Sequence, residues 1–192
     1  YYDYTDKQEF RRDPATGATA IENAGAATVW GAELEVTARA TSALMIDVSV
    51  SYLNAEYDEF LTSDPRTLLA ADLSSNQLSR APKWKTHLGV QYEWQLGELG
   101  TFIGRIDTSW VESLHPSAFN RSEDELESYT RTNAKLGWES LDQLWQADLY
   151  VQNLENDDVK SNFFDSTVLL NFTPWVQYFP PRTYGVRLTR NF

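Results

Sequence analysis

The chain has 192 residues, of which 42% are hydrophobic, and this content excludes a disordered chain. Its 28 acidic and 16 basic residues give a net charge of -12, which argues against nucleic acid as a partner. Cysteine is absent, which excludes a disulfide framework, a thiolate zinc site and a cysteine nucleophile.

Alternation of apolar and polar residues recurs along the chain and predicts long β-strands. Residues 1–7 are predicted to end a first strand, and seven more are predicted at 26–39, 43–57, 82–94, 101–112, 128–139, 145–154 and 182–192. In the clearest of these, Trp84, Leu88 and Val90 alternate with Lys85 and Gln91. No run of about 18 apolar residues, as a membrane helix needs, occurs anywhere.

The connections between these strands alternate strictly in length. Three are short, at 40–42, 95–100 and 140–144, and four are long, at 8–25, 58–81, 113–127 and 155–181. All tight turns therefore lie at one end of an antiparallel meander and all long loops at the other, as in outer-membrane barrels. The sequence predicts an all-β fold, an antiparallel up-and-down transmembrane β-barrel.

Charge differs between the two faces of the seven clear strands. The polar face carries 14 charged residues, many at mid-strand, whereas the apolar face carries four, all within two residues of a strand end. These four are Glu56, Glu112, Arg182 and Arg190. Since a basic residue facing lipid at mid-bilayer costs about 2–4 kcal/mol, the apolar face is predicted to meet hydrocarbon and the polar face a wet lumen.

Aromatic residues stand on the apolar face close to strand ends, where interfacial girdles place them. They are Trp84, Trp94, Trp110, Trp138, Trp145 and Tyr184. The alternative interpretation is that these rings pack in the core of a soluble sandwich or barrel.

Several short segments resemble, in order, the C-terminal strands of TonB-dependent receptors. They are Asn23-Ala24-Gly25, Gly31-Ala32-Glu33-Leu34-Glu35, Arg80-Ala81-Pro82-Lys83-Trp84, Val151-Gln152-Asn153-Leu154 and Pro181-Arg182-Thr183-Tyr184-Gly185-Val186. The resemblance implies a 22-stranded barrel, plugged by an N-terminal domain, that takes up a scarce nutrient such as siderophore-bound iron with energy from TonB. Residues 1–192 are then expected to supply about eight strands, with the plug domain and the earlier strands outside this sequence.

The same resemblance implies that the last strand carries the signal read by the barrel-assembly machinery. The signal residues are Tyr184, Val186, Leu188 and Phe192. Arg190 departs from that pattern, because an apolar residue is usual at its position.

Aromatic residues in the long loops suggest a ligand-binding mouth, because exposed aromatic side chains often bind. The candidates are Phe163, Phe164, Trp175 and Tyr178 of the 155–181 loop, with Tyr57, Phe60 and Arg66 at the 58–81 loop. An aromatic or amphipathic small molecule would be the ligand. Alternatively, the 155–181 loop forms a hairpin above the membrane and its rings pack on neighbouring loops.

No catalytic residue, cofactor or metal site is predicted. His87 is expected to be a hydrogen-bonded residue of the lumen wall rather than a metal ligand. Two acidic clusters, 123–127 and 155–158, are expected to be solvated loop segments, with a calcium site or cation bridging to lipopolysaccharide as alternatives. The expected partners are outer-membrane lipid and lipopolysaccharide, the barrel-assembly machinery, TonB through the plug domain, and an unidentified small-molecule ligand.

Two other architectures remain open. Eight strands could close into a complete small barrel that serves as an adhesin, a structural protein or a minor pore. The strands could also form a soluble lectin-like sandwich, which would bury the apolar face.

Overall fold

A computed structural model describes residues 1–12, 19–23, 25–67, 69–164 and 175–192. The strands of this part of the chain are β1 (Tyr2–Tyr4), β2 (Gln8–Arg12), β3 (Thr19–Asn23), β4 (Ala26–Arg39), β5 (Leu44–Glu59), β6 (Leu61–Ser63), β7 (Ala70–Asp72), β8 (Trp84–Gln95), β9 (Thr101–Val111), β10 (Tyr129–Glu139), β11 (Trp145–Gln152), β12 (Lys160–Phe164), β13 (Trp175–Tyr178) and β14 (Thr183–Arg190). Two short 3₁₀ turns lie at Gly97–Leu99 and Ser122–Asp124. In these residues, no helix has the length and apolar character needed to cross a membrane.

Eight strands form one antiparallel sheet in the order β1-β4-β5-β8-β9-β10-β11-β14. Each pairs with its neighbour along the chain once the loop hairpins are set aside, so the sheet is an up-and-down meander. All eight strands predicted from the sequence are confirmed, and β4 has the predicted bounds of 26–39. Alternation with a period of two is a strong strand signal. Successive side chains point to opposite faces of a sheet, so one apolar face requires an apolar residue at every second position.

The register places polar residues of neighbouring strands opposite one another. Asp47 of β5 faces Gly89 of β8, which in turn faces Asp107 of β9. One step towards the long loops, His87 faces Ser109. The lumen face is therefore built from cross-strand rows rather than from local sequence neighbours.

The apolar face remains uncovered. Leu88 is 42% exposed and Leu188 is 66% exposed, although both lie within long strands. All eight long-sheet strands belong to a single layer, so the soluble sandwich, which needs a second sheet to bury this face, is wrong. An apolar face left open by the protein is the face expected to contact hydrocarbon.

The sheet is open. β1 pairs with β4 and β14 pairs with β11, and these two strands form the opposite edges of the sheet. The complete eight-stranded barrel is therefore wrong for the described strands, because closure would pair β1 with β14. Both edges present unpaired backbone groups that lipid cannot satisfy.

The long and short connections lie at opposite ends of the sheet, as predicted. Turns at the short end are closed by local hydrogen bonds, such as those from the backbone N–H groups of Ala43 and Leu44 to the hydroxyl of Thr41. Gly100 adopts a φ of 87°, a left-handed conformation that a residue with a Cβ rarely adopts. Three of the long connections carry hairpins of their own, β2–β3, β6–β7 and β12–β13.

Candidate ligand-binding mouth and lumen wall

Ion pairs join the 58–81 loop to the 113–127 loop. Arg66 Nη2 lies 2.8 Å from both carboxylate oxygens of Asp124, and Arg66 Nη1 lies 2.8 Å from Glu123 Oε1. In the reverse direction, Arg121 Nη2 donates to Asp64 Oδ1 at 2.6 Å. Asp124 is only 3% exposed, so its charge needs these partners. Part of the 123–127 acidic cluster is thus paired rather than solvated.

Neutral hydrogen bonds reinforce the same loop contact. Asn120 Oδ1 accepts from the backbone N–H of Gln77 at 2.7 Å, and Asn120 Nδ2 donates to the Gln77 carbonyl at 3.0 Å. The backbone N–H of Arg80 donates to the His115 carbonyl at 2.8 Å. Arg80 also donates from Nη2 to Asn162 of the 155–181 loop. Three of the long loops are therefore connected above the sheet.

Tyr57 is the centre of a small core under these loops. Its side chain is 1% exposed and packs with Ala27, and its ring centroid lies 4.9 Å from that of Phe60. The hydroxyl donates to Glu9 Oε1 at 2.7 Å. The structure thus brings Tyr57 and Phe60 together, with Tyr57 beneath the surface of the mouth.

The 155–181 loop presents aromatic residues on the β12–β13 hairpin. Trp175 is 64% exposed and Tyr178 is 52% exposed. Phe163, opposite Val176 in the hairpin, is half-buried. The backbone of Phe164 pairs with Trp175, and its side chain lies outside the described part of the structure. The loop thus contains a hairpin at 160–164 and 175–178, with two of its rings open to solvent. The residues expected to extend this hairpin, Val168, Leu169, Leu170 and Phe172, lie outside the described part of the structure.

A further cluster at the rim was missed by the sequence analysis. The Arg131 guanidinium lies 4.7 Å from the centroid of the Phe179 ring, and the Tyr129 ring lies 5.6 Å from the same centroid. Arg131 and Tyr129 occupy the polar face at the start of β10, directly after a long loop. That position in the sequence could have identified them as candidates for the mouth. The cluster adds a cation to the aromatic rim.

Charged residues also form a network on the lumen face of β5, β8 and β9. Arg105 Nη1 lies 2.9 Å from Asp47 Oδ1, and Arg105 Nη2 lies 2.6 Å from Asp107 Oδ1. His87 Nδ1 is 2.9 Å from Ser109 Oγ, and His87 Nε2 is 3.1 Å from Asp47 Oδ2. The expectation that His87 is a hydrogen-bonded wall residue is confirmed.

The same network contains a set of potential metal ligands. One atom each of Asp47, His87 and Asp107 lies within 4.8 Å of the others. Arg105, however, pairs with both carboxylates and supplies the positive charge that a cation would otherwise provide. The arrangement is chemically a satisfied ion-pair network.

The pKa values of two acidic groups in the loops, Asp64 and Glu123, are lowered, and hydrogen bonds contribute to both shifts. Burial alone would raise the pKa of the Asp64 carboxyl, but hydrogen bonds from the Arg66 backbone and from Arg121 outweigh it, so the pKa is lowered below its ordinary 3.8. At Glu123, its own backbone N–H and the charges of Arg66 and Arg121 lower the pKa. Both carboxylates are thus held in the charged form that the loop contact uses.

Three residues of the expected assembly signal, Tyr184, Val186 and Leu188, share the apolar face of β14, and Phe192 lies two residues beyond its end. All four are exposed. Arg190 lies on the same face, beside Trp145 of β11.

Comparison with protein families gives one match that covers most of the chain. The family described as "TonB dependent receptor-like, beta-barrel" matches residues 1–154.

Solved structures with a similar fold include proteins named as receptors and as a transporter. The ferric yersiniabactin uptake receptor FyuA from Yersinia pestis has a TM-score of 0.74 and 19% identity, over 90% of this chain and 25% of its own. The siderophore receptor PiuA from Acinetobacter baumannii has a TM-score of 0.71 and 16% identity, over 97% of this chain and 24% of its own. The copper transporter OprC has a TM-score of 0.66 and 15% identity, over 99% of this chain and 27% of its own. The chain thus spans about a quarter of the length of these proteins.

Proposed function

Because this chain belongs to the TonB-dependent receptor-like β-barrel family, we propose that it forms part of the wall and mouth of a receptor that takes up a scarce nutrient, a ferric siderophore or similar metal chelate. Barrels of this family lie in the outer membrane, and this is where the chain resides. The proposal concerns the whole receptor, of which these residues contribute eight wall strands.

The observation that carries the proposal is the open sheet. Two unpaired edges in lipid must be satisfied by further strands, and the fold matches about a quarter of each of several larger barrels. A barrel of about 22 strands, as the family resemblance implies, would be wide enough to hold a plug domain.

A metal chelate is favoured as the nutrient because FyuA is named as a ferric yersiniabactin uptake receptor and PiuA as a siderophore receptor. OprC is named as a copper transporter, so the same wall architecture also occurs with a different cargo. The aromatic hairpin supports a ligand with flat or amphipathic groups.

We assign different roles to the seven candidate mouth residues. Trp175 and Tyr178 are exposed on β13 and would contact the ligand directly. Phe60 and Phe163 would extend this aromatic surface, while the side chain of Phe164 lies outside the described part of the structure. Tyr57 and Arg66 would act beneath it, because the first is buried and the second is paired with Asp124.

The proposed partners follow from the family and from the exposed faces. TonB would act through the plug domain supplied by the rest of the protein. The barrel-assembly machinery would recognise Tyr184, Val186 and Leu188 on β14 and Phe192 just after it. Lipopolysaccharide would surround the long-loop end, where the acidic residues Asp157 and Asp158 lie.

Ligand binding by the full-length receptor tests the proposal. Purified receptor would be titrated with ferric catecholate, ferric hydroxamate and ferric mixed-ligand siderophores and with Cu²⁺, and binding read from tryptophan quenching. We expect one ferric chelate to bind, and the double change Trp175→Ala and Tyr178→Ala to weaken it about tenfold or more. Leu141→Ala, an exposed apolar change in a short turn, is the matched control and should leave binding unchanged. Binding of Cu²⁺ alone would contradict the siderophore assignment. Equal binding by the double variant would contradict the ligand contact assigned to Trp175 and Tyr178.

A further inference from the structure

We propose that Arg190, whose guanidinium lies near two aromatic rings on the lipid-facing side of β14, binds the phosphate of a phospholipid in the inner leaflet of the outer membrane. The lipid would be anionic or zwitterionic, with its acyl chain lying in an apolar groove of the same sheet.

Arg190 lies near the end of β14, opposite Trp145 of β11. It is on the face that also carries Leu188 and Val186. This end of the sheet holds the short turns, which face the periplasm in barrels of this kind. A charge on the lipid face is tolerated there only at the level of the headgroups.

Two aromatic rings lie close to the Arg190 side chain. Its guanidinium carbon lies 5.0 Å from the centroid of the Trp145 ring and 5.1 Å from that of the Phe192 ring. Stacking uses the faces of the guanidinium and leaves its in-plane N–H groups available as donors. Among the described residues, none of the ion pairs includes Arg190.

The N–H donors of Arg190 match a phosphate. A planar guanidinium presents N–H groups in a fork that suits phosphate oxygens. At the inner interface of the outer membrane, the abundant group with this chemistry is the phospholipid headgroup.

An apolar groove on the same face could hold the acyl chain. Its volume is about 660 Å³, and it is lined by residues such as Val90, Trp94, Ile106, Leu136, Leu149 and Val186. Gly104 gives room to the Trp94 ring of the groove, because a Cβ there would lie 2.9 Å from that ring. Leu188 and Ala147, which face each other in the register, connect Arg190 to the Leu149 and Val186 end of the groove. One lipid could therefore contact both features.

Native mass spectrometry of the full-length receptor in detergent tests the proposal, with phosphatidylglycerol, diacylglycerol and inorganic phosphate as separate probes. We expect the wild-type receptor to retain phosphatidylglycerol in preference to diacylglycerol, and inorganic phosphate not to compete. Arg190→Gln should lower phosphatidylglycerol occupancy about tenfold. Arg187→Gln, on the same strand but on the lumen face, is the matched control and should retain wild-type occupancy.

Two further arms keep the test decisive if Arg190→Gln fails to assemble. Arg190→Lys keeps the charge but loses the fork and the stacking surface, and should bind with intermediate occupancy. Equal retention of phosphatidylglycerol and diacylglycerol by the wild-type receptor would overturn the proposal without any variant. Competition by inorganic phosphate would show an anion site without lipid recognition, and would overturn it as well.

Discussion

Arg66 and Asp124 are 58 residues apart in sequence, yet a single nitrogen of Arg66 lies 2.8 Å from both carboxylate oxygens of Asp124. The pair fixes the 58–81 loop against the 113–127 loop above the lumen. Since Asp124 is almost fully buried, removal of Arg66 would take away the nearer of the two cations beside its carboxylate, the other being Arg121 at 3.7 Å.

We predict that Asp124→Asn loosens both loops. Loss of the carboxylate removes the ion pair between Arg66 and Asp124, and the free energy of local opening should fall by about 1–3 kcal/mol. Hydrogen exchange of the full-length receptor should then show faster exchange at 60–78 and at 114–126. Glu127→Gln removes a charge from an exposed position of the same loop and should change neither segment. Identical exchange in Asp124→Asn and wild type would refute a structural role for the pair.

The loop contact should also depend on pH in a defined direction. Because the pKa of Asp64 is lowered in the folded loop, its contribution is fully present above the ordinary value of 3.8 and is lost as the pH falls through the lowered value. Exchange in the 58–81 loop should therefore be constant between pH 7 and pH 5, after correction for intrinsic rates, and should accelerate below about pH 4. Asp64→Asn should exchange faster at neutral pH and show a weaker acid response. Loosening that begins near pH 6 would point to a different titrating group.

Removal of Arg105 should destabilise the lumen wall. In Arg105→Gln, Asp47 and Asp107 lose their shared cation, and the free energy of unfolding should fall by about 1–3 kcal/mol. The midpoint of heat-modifiable gel migration measures the effect. Arg39→Gln, an exposed change near a short turn, is the control. Adding Asp47→Asn to Arg105→Gln should restore part of the loss, and no recovery would argue against charge repulsion as the cause.

The lipid face should reject charge at mid-strand. Leu136→Arg places a cation on the apolar face of β10 and should cost about 2–4 kcal/mol of stability in the membrane. The neighbouring change Asn133→Arg lies on the lumen face and should be better tolerated. Folding yield in lipid vesicles compares the two. Equal yields would mean that the two faces do not differ in their surroundings.

The strands could be predicted from the sequence because their signal is local. In Trp84–Gln95, for example, alternation alone gives the bounds to within two residues. The short turn at 95–100 also fixes the register that places Gly89 opposite Asp107. The long 58–81 loop sets no such register, so the sequence could not place Asp47 beside Arg105.

The mouth was harder to predict, since its contacts join residues distant in sequence. Tyr57 continues the polar face of β5, and only the folding of loops over that face makes it buried. The aromatic composition of the 155–181 loop predicted exposed rings, and Trp175 and Tyr178 are exposed, whereas Phe163 is half-buried. The cluster of Arg131 with Phe179 depends on how that loop returns to the sheet, which no local pattern encodes.

The orientation of the two faces is tested most directly by spin-label accessibility in the full-length receptor, reconstituted in lipid vesicles. Single labels would be placed along β8 at the successive positions 86–91. We predict that labels at Leu88 and Val90 collide with lipid-soluble oxygen, and that labels at His87 and Gln91 collide with a water-soluble nickel complex. The opposite alternation, or no alternation, would contradict the assignment of the apolar face to the membrane.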